Sequence, residues 1–213
     1  VLLDTFSLTT GVLGGTRFDG VLSGTGNLVK EGTSTFELGG GNTYVGGTDV
    51  IDGTLALLGS NRLADTGAVR VAAPATLVVD GTDTVASLDL AGLLRGSGTL
   101  TAATYTLQGG TARAALGRGD LVSTGSSLLA EPVAVDNIRV DGGTLRVAAG
   151  ATTRTPATTV AANATLLLEG ELTLGTLAGA GNVQLRQGTL TTGVGGDSRF
   201  SGVISGPGGL VKE

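Results

Sequence analysis

The chain repeats itself at several nested distances, and few folds tolerate that. Arg17 through Glu31 reads Arg-Phe-Asp-Gly-Val-Leu-Ser-Gly-Thr-Gly-Asn-Leu-Val-Lys-Glu and returns as Arg199 through Glu213, with eleven of fifteen positions identical. Gly-Thr-Leu stands at 53–55, 98–100, 143–145 and 188–190, evenly spaced. Val71–Gly81 matches Val160–Gly170 at seven of eleven positions. Self-similarity along one axis is the mark of units that cannot bury their own apolar face and gain stability by stacking on neighbours. The nested distances predict a basic coil of about 22 residues, a length typical of units that stack as solenoids.

The local pattern is β. Thr54-Leu55-Ala56-Leu57, Thr76-Leu77-Val78-Val79, Leu145-Arg146-Val147 and Leu172-Thr173-Leu174 are short alternating or β-branched runs bounded by Gly or Asp-Gly. No window carries a helical apolar stripe. Glycine accounts for 39 of 213 residues while mean hydropathy is +0.33, too apolar for a disordered linker. Collagen would need Gly at every third position and much more than 4 Pro. Recurrence near multiples of the coil length favours a coil over hairpins. The expected fold is all-β: a right-handed parallel β-helix of about ten rungs, forming one continuous segment over 1–213. Rungs ~4.8 Å apart would make a rod on the order of 48 Å long. No capping segment is evident at Val1 or Glu213, so the chain reads as a slice of a longer rod.

Within this pattern, Phe18 and Phe200, Val21 and Val203, Leu28 and Leu210, and Val29 and Val211 are expected at equivalent positions. Gly20, Gly24, Gly26 and their partners, Gly202 among them, are expected at corners.

The wording Phe-x-Gly-Val-Leu-Ser-Gly-x-Gly-x-Leu-Val-Lys-Glu-Gly from Phe18, then Gly40-Gly41-Asn42-Thr43-Tyr44-Val45-Gly46-Gly47-Thr48 and Asp52-Gly53-Thr54-Leu55, resembles the passenger-associated, or autotransporter-associated β-strand, repeat of type V secreted bacterial proteins. Phe200–Glu213 resembles the start of a further copy, and Tyr105–Gly110 is similar to repeats of large filamentous adhesins. The resemblance implies a β-helical passenger exported unfolded and folded at the cell surface. In that family the repeat is associated with secretion and folding, and the helix serves as a stalk in proteins that are often adhesins. The implied location is extracellular or at the bacterial cell surface, outer-membrane-anchored or secreted. No catalytic residue belongs to the repeat.

Composition narrows the chemistry. With no His and no Cys, a Ser-His-Asp triad, a Cys nucleophile and a His/Cys zinc site are excluded. A net charge of −5, two lysines and 3% aromatics argue against nucleic-acid binding. No apolar run is long enough to span a membrane as a helix. Asp49/Asp52, Asp80/Asp83 and Glu169/Glu171 could in principle supply an acid–base pair, but acids in turns also keep a rod soluble. Gly46-Gly47-Thr48-Asp49 and Gly195-Gly196-Asp197 are isolated and form no calcium-binding series. Arg118-Gly119-Asp120 is an integrin-type triplet, the candidate adhesion motif, or else a polar turn. No cofactor or metal is implied.

The function expected is that of a structural stalk of a surface or secreted adhesin, presenting or forming an adhesive surface. The alternatives are a self-assembling extracellular fibre and a polysaccharide-acting β-helix enzyme. Expected partners are a host-cell or matrix surface, or other copies of the rod.

Overall fold

The computed structural model describes residues 1–151 and 153–213, with side chains described outside 152–156. Among the described residues it contains twenty-four strands and no helix. The strands pair in parallel and wind into a β-solenoid of about 11 turns.

Each turn crosses three faces. The first-face ladder runs inward through Leu8, Leu28, Thr48, Val69, Leu88, Tyr105, Leu121, Ile138, Thr158 and Leu177. The second runs through Phe36, Leu55, Leu77, Leu94, Ala112, Leu129, Val147, Leu168 and Leu185, outward neighbours alternating with inward ones. These inward aliphatic side chains are the core, with those from Leu28 to Leu190 almost all sealed from solvent. The third face is less regular. It is a two-residue pairing of Ser23–Gly24 with Thr43–Tyr44 early in the chain, then a longer pairing of Thr82–Val85 with Thr99–Ala102.

Coil length is not constant. The first-face ladder takes long steps from Leu8 through Leu28, Thr48 and Val69 to Leu88. Its steps shorten through Tyr105 and Leu121 to Ile138, then lengthen again to Thr158 and Leu177. Every one of these steps is shorter than the coil the sequence periods imply, so the expected uniform coil is corrected. In the tight middle coils, Leu93–Leu107 is one strand bent across all three faces, with Gly96 and Gly98 in its bends. In the early coils, third-face loops absorb the extra residues.

The sequence periods map unequally onto this winding. Val71 reaches Val160 through Leu90, Leu107, Ser123 and Val140, so the match between the segments at Val71 and Val160 spans five whole turns on one face. The Gly-Thr-Leu period does not close: Leu55 lies on the second face and Leu100 on the third.

Nor does the longest period. In its first copy Phe18 ends a second-face strand, Ser23 lies on the third face and Leu28–Lys30 on the first. In the second copy Phe200 bridges Gly179 on the first face, Val203–Ser205 lies on the second and Gly209–Lys212 on the third. The paired residues expected at equivalent positions thus stand on different faces. Leu28 and Leu210 nonetheless both stand in inward columns, Leu28 between Leu8 and Thr48 and Leu210 above Leu172 and Leu190. Val21 and Val203 point outward at 47% and 60% exposure, because each occupies the outward phase of its short strand or turn. Phe18 and Phe200 are both half-buried against the core.

Candidate functional site

The Arg118-Gly119-Asp120 triplet forms the corner between Thr111–Leu116 and Asp120–Ser123. The coil beneath fixes it. The buried Tyr105 hydroxyl accepts the Ala102 N–H at 2.8 Å and donates its single proton to the Leu100 carbonyl at 3.0 Å, with the Gly117 and Arg118 carbonyl oxygens at 3.2 and 3.4 Å as further acceptors in reach. Burial pushes this phenol up to about 12, so it remains a donor at any physiological pH. Gly119 has φ +141°, and a Cβ there would run into the Ala102 carbonyl oxygen, so the corner lies flush on its neighbour.

The coil above holds the charges. The Arg118 guanidinium meets Asp136 Oδ1 at 2.6 Å, and Asp136 Oδ2 accepts the Gly119 N–H at 3.0 Å. Asn137 Nδ2 donates to Asp120 Oδ1 at 2.7 Å. The Arg118 side chain is nonetheless 82% exposed, above an open depression of about 360 Å³ that Asp120 and Asp136 also line. An exposed ion pair of this kind stabilises by about 0–1 kcal/mol, so either charge can exchange its partner cheaply. The backbone cannot stand off from the rod.

The carboxylates singled out as acid–base candidates are mostly engaged. Asp52 Oδ1 accepts the Gly53 N–H at 2.7 Å and Asp80 Oδ1 the Ser97 N–H at 3.2 Å. Glu169 is gripped by Arg146 at 2.6 Å and approached by Arg186 at 3.4 Å, and the hydrogen bonds from Arg146 hold its carboxyl below the usual range. Glu169 and Arg186 border a cleft of about 410 Å³ with Gln187 and Pro207.

Asp83 is fully buried. Its Oδ1 accepts the N–H groups of Arg62 and Leu63 at 2.8 and 2.9 Å, while Oδ2 has no protein partner. Burial pushes its carboxyl up, against those two hydrogen bonds. Among the described residues no three acidic side chains converge as a metal site.

Sequence reasoning missed the role of asparagine and aspartate between coils. Asn42 Oδ1 accepts the Leu22 N–H at 2.8 Å while Nδ2 donates to the Arg62 carbonyl at 2.8 Å. Asn27 Oδ1 accepts the Gly47 N–H at 2.8 Å. These side chains carry bonds between coils at the ends of the short third-face pairing and beside the strandless stretch at Arg62. The available signal was the near-even spacing of Leu22, Asn42, Arg62 and Asp83 along the chain.

Residues 28–57 match the family model described as the passenger-associated-transport-repeat. The chain is similar to the adhesin BmaC autotransporter of Brucella suis biovar 1, 39% identical over 112 residues, which is 51% of this chain and 3% of that protein. It is similar to the autotransporter lipoprotein NalP of Neisseria meningitidis serogroup B, 38% identical over 73 residues, 34% of this chain and 6% of that protein. The matched segments are thus small parts of these much longer relatives. No solved structure matches the chain. No helix among the described residues is long and apolar enough to cross a membrane. The chain carries an autotransporter passenger repeat, and its similarity to these proteins indicates a surface-exposed or secreted location.

Proposed function

We propose that the chain is a stalk segment of a bacterial surface or secreted adhesin, a stiff parallel rod that holds adhesive surface away from the cell. The observation that carries this reading is the uninterrupted first-face ladder from Leu8 to Leu177 in a chain that also contains a passenger repeat at 28–57. Similarity to a protein described as an adhesin supports it. A rod of continuously paired strands transmits force along its axis and leaves few unpaired backbone groups for proteases. Mechanical presentation needs no catalytic group. The engagement of Asp52, Asp80 and Glu169 in local pairing supports a non-enzymatic role over the polysaccharide-cleaving alternative.

The partners proposed are host-cell or matrix surfaces and other rods. The Arg118 corner is a secondary contact at most, because its backbone is seated on Ala102 and cannot stand off from the rod. The test is adhesion and clumping by bacteria displaying the chain, beside a non-displaying strain. Attachment that survives Asp120→Glu supports adhesion by the rod or by modules it carries. Attachment abolished by that change makes the corner the adhesive site. Turnover of a glycan panel by the displayed chain would overturn the stalk reading.

A further inference from the structure

Lys30 occupies an inward position. Its ladder neighbours are Thr10, Val50, Val71, Leu90 and Leu107, so a charged side chain stands where other coils place Val or Leu. It is fully buried. Burial lowers its ammonium from the ordinary lysine value, with the nearby Asp52 charge opposing that effect. An ammonium has three N–H donors and is tolerated in an apolar interior only when all are bonded. All three are. Nζ donates to the carbonyl oxygens of Glu31 at 2.9 Å, Gly32 at 2.7 Å and Asp52 at 3.0 Å.

Those acceptors belong to two different coils. Glu31 and Gly32 turn the corner of the lysine's own coil; Asp52 turns the same corner of the next. The side-chain stem lies on the coil before: a Cβ on Gly11 would come within 2.5 Å of Lys30 Cε. One side chain therefore touches three successive coils. Ser123, in the same ladder, donates to the Gly125 carbonyl at 3.1 Å, so this corner needs an interior donor elsewhere too. The chain's second lysine repeats the local half of the arrangement. Lys212 Nζ donates to the Glu213 carbonyl, and its stem lies on Gly193 of the coil before, as that of Lys30 lies on Gly11.

We infer that Lys30 is an inter-coil clamp that makes coil addition stepwise: its coil is secured only when the following coil brings the Asp52 carbonyl into place. Before that, one ammonium N–H has no protein acceptor and the corner stays open to water. Both ends of the clamp lie within the matched repeat at 28–57. The inference rests on the fold alone and is independent of the adhesive reading.

The test uses the whole chain, in which Lys30, Lys212 and the Val1 amine are the amines available. Acetylation by an N-hydroxysuccinimide ester, read by mass spectrometry, is expected to modify native Lys30 at least about 100-fold more slowly than Lys212. During refolding, pulses of reagent alongside hydrogen exchange are expected to show Lys30 protection arising together with that of the Ile51 amide, which donates to the Lys30 carbonyl. Lys30→Met is expected to raise exchange about tenfold or more at residues 31–34 and 51–54 while leaving the coils beyond Leu88 unchanged. Should Lys30→Met not fold, the wild-type pulses still decide. Acetylation of native Lys30 within about tenfold of Lys212, or its protection arising before the Ile51 amide is protected, overturns the clamp.

Discussion

The two copies of the repeated wording stand on different faces, yet they make the same local contacts. In each, the phenylalanine ring folds over the glycine two positions on: a Cβ would come 2.6 Å from Phe18 Cζ at Gly20 and 2.7 Å from Phe200 Cζ at Gly202. In each, the glycine after the Val-Leu/Ile-Ser run takes positive φ, +105° at Gly24 and +114° at Gly206. In each, the lysine lies across a glycine of the coil below. The repeat therefore encodes a corner, a short strand and a second corner, and is indifferent to which face receives them. Three faces joined by similar glycine corners make this possible. A period need not equal whole turns, and the longest one here does not.

The copies differ in what surrounds them, and substitutions can exploit that difference. The largest contrast is expected at the leucines. Leu28→Asp places an unpartnered charge in the sealed core and should cost about 5 kcal/mol, whereas Leu210→Asp on the last coil should cost under about 1 kcal/mol. Denaturant melts of the two variants check this; equal losses would break the comparison.

The glycines come next. A Cβ at Gly202 would drive into the Gly181 carbonyl oxygen, which is backbone and cannot yield, while at Gly20 it meets only the Phe18 ring, which can turn aside. Gly202→Ala should cost about 3 kcal/mol and Gly20→Ala about 1 kcal/mol, read by thermal unfolding.

Asp83 tests how the early third face is held. Its folded carboxyl binds a proton more tightly than the unfolded one, whose value is near 3.8, so the native state holds more protons just above that pH. Stability should fall as pH rises from about 4 through the raised folded value. Asp83→Asn keeps an Oδ1 acceptor for the Arg62 and Leu63 N–H groups, as Asn42 does for Leu22. It should flatten that decline, because the amide does not titrate. A steeper decline in the variant would contradict this assignment.

The smallest effect concerns Arg17 and Asp19, an exposed pair at 2.8 Å. The second copy has Ser201 in place of the aspartate. Asp19→Ser should change stability by less than about 0.5 kcal/mol.

Fold class was legible in the sequence because apolar alternation and glycine spacing are local signals. Leu28, Leu55 and Leu145 lie inward on short strands as their runs imply. Face assignment was not legible. It depends on accumulated coil length, and the coils between Leu88 and Ile138 are shorter than the early ones. The corner at Arg118 was visible as a motif, but its partners Asp136, Asn137 and Tyr105 were not, since each belongs to another part of the winding. Lys30 carried a signal that went unread: the chain's only two lysines both close a copy of the repeat.

The most direct test of face-independent repetition is cross-linking between coils. The structure pairs Val211 with Thr191 on the third face. Were the second copy to lie on the first face, as Val29 does, Val211 would instead stack in the column of Ala178. Thr191→Cys with Val211→Cys is predicted to form a disulfide under mild oxidation, while Ala178→Cys with Val211→Cys stays reduced, because only adjacent coils bring Cα atoms within about 7 Å. The reverse outcome would contradict the account.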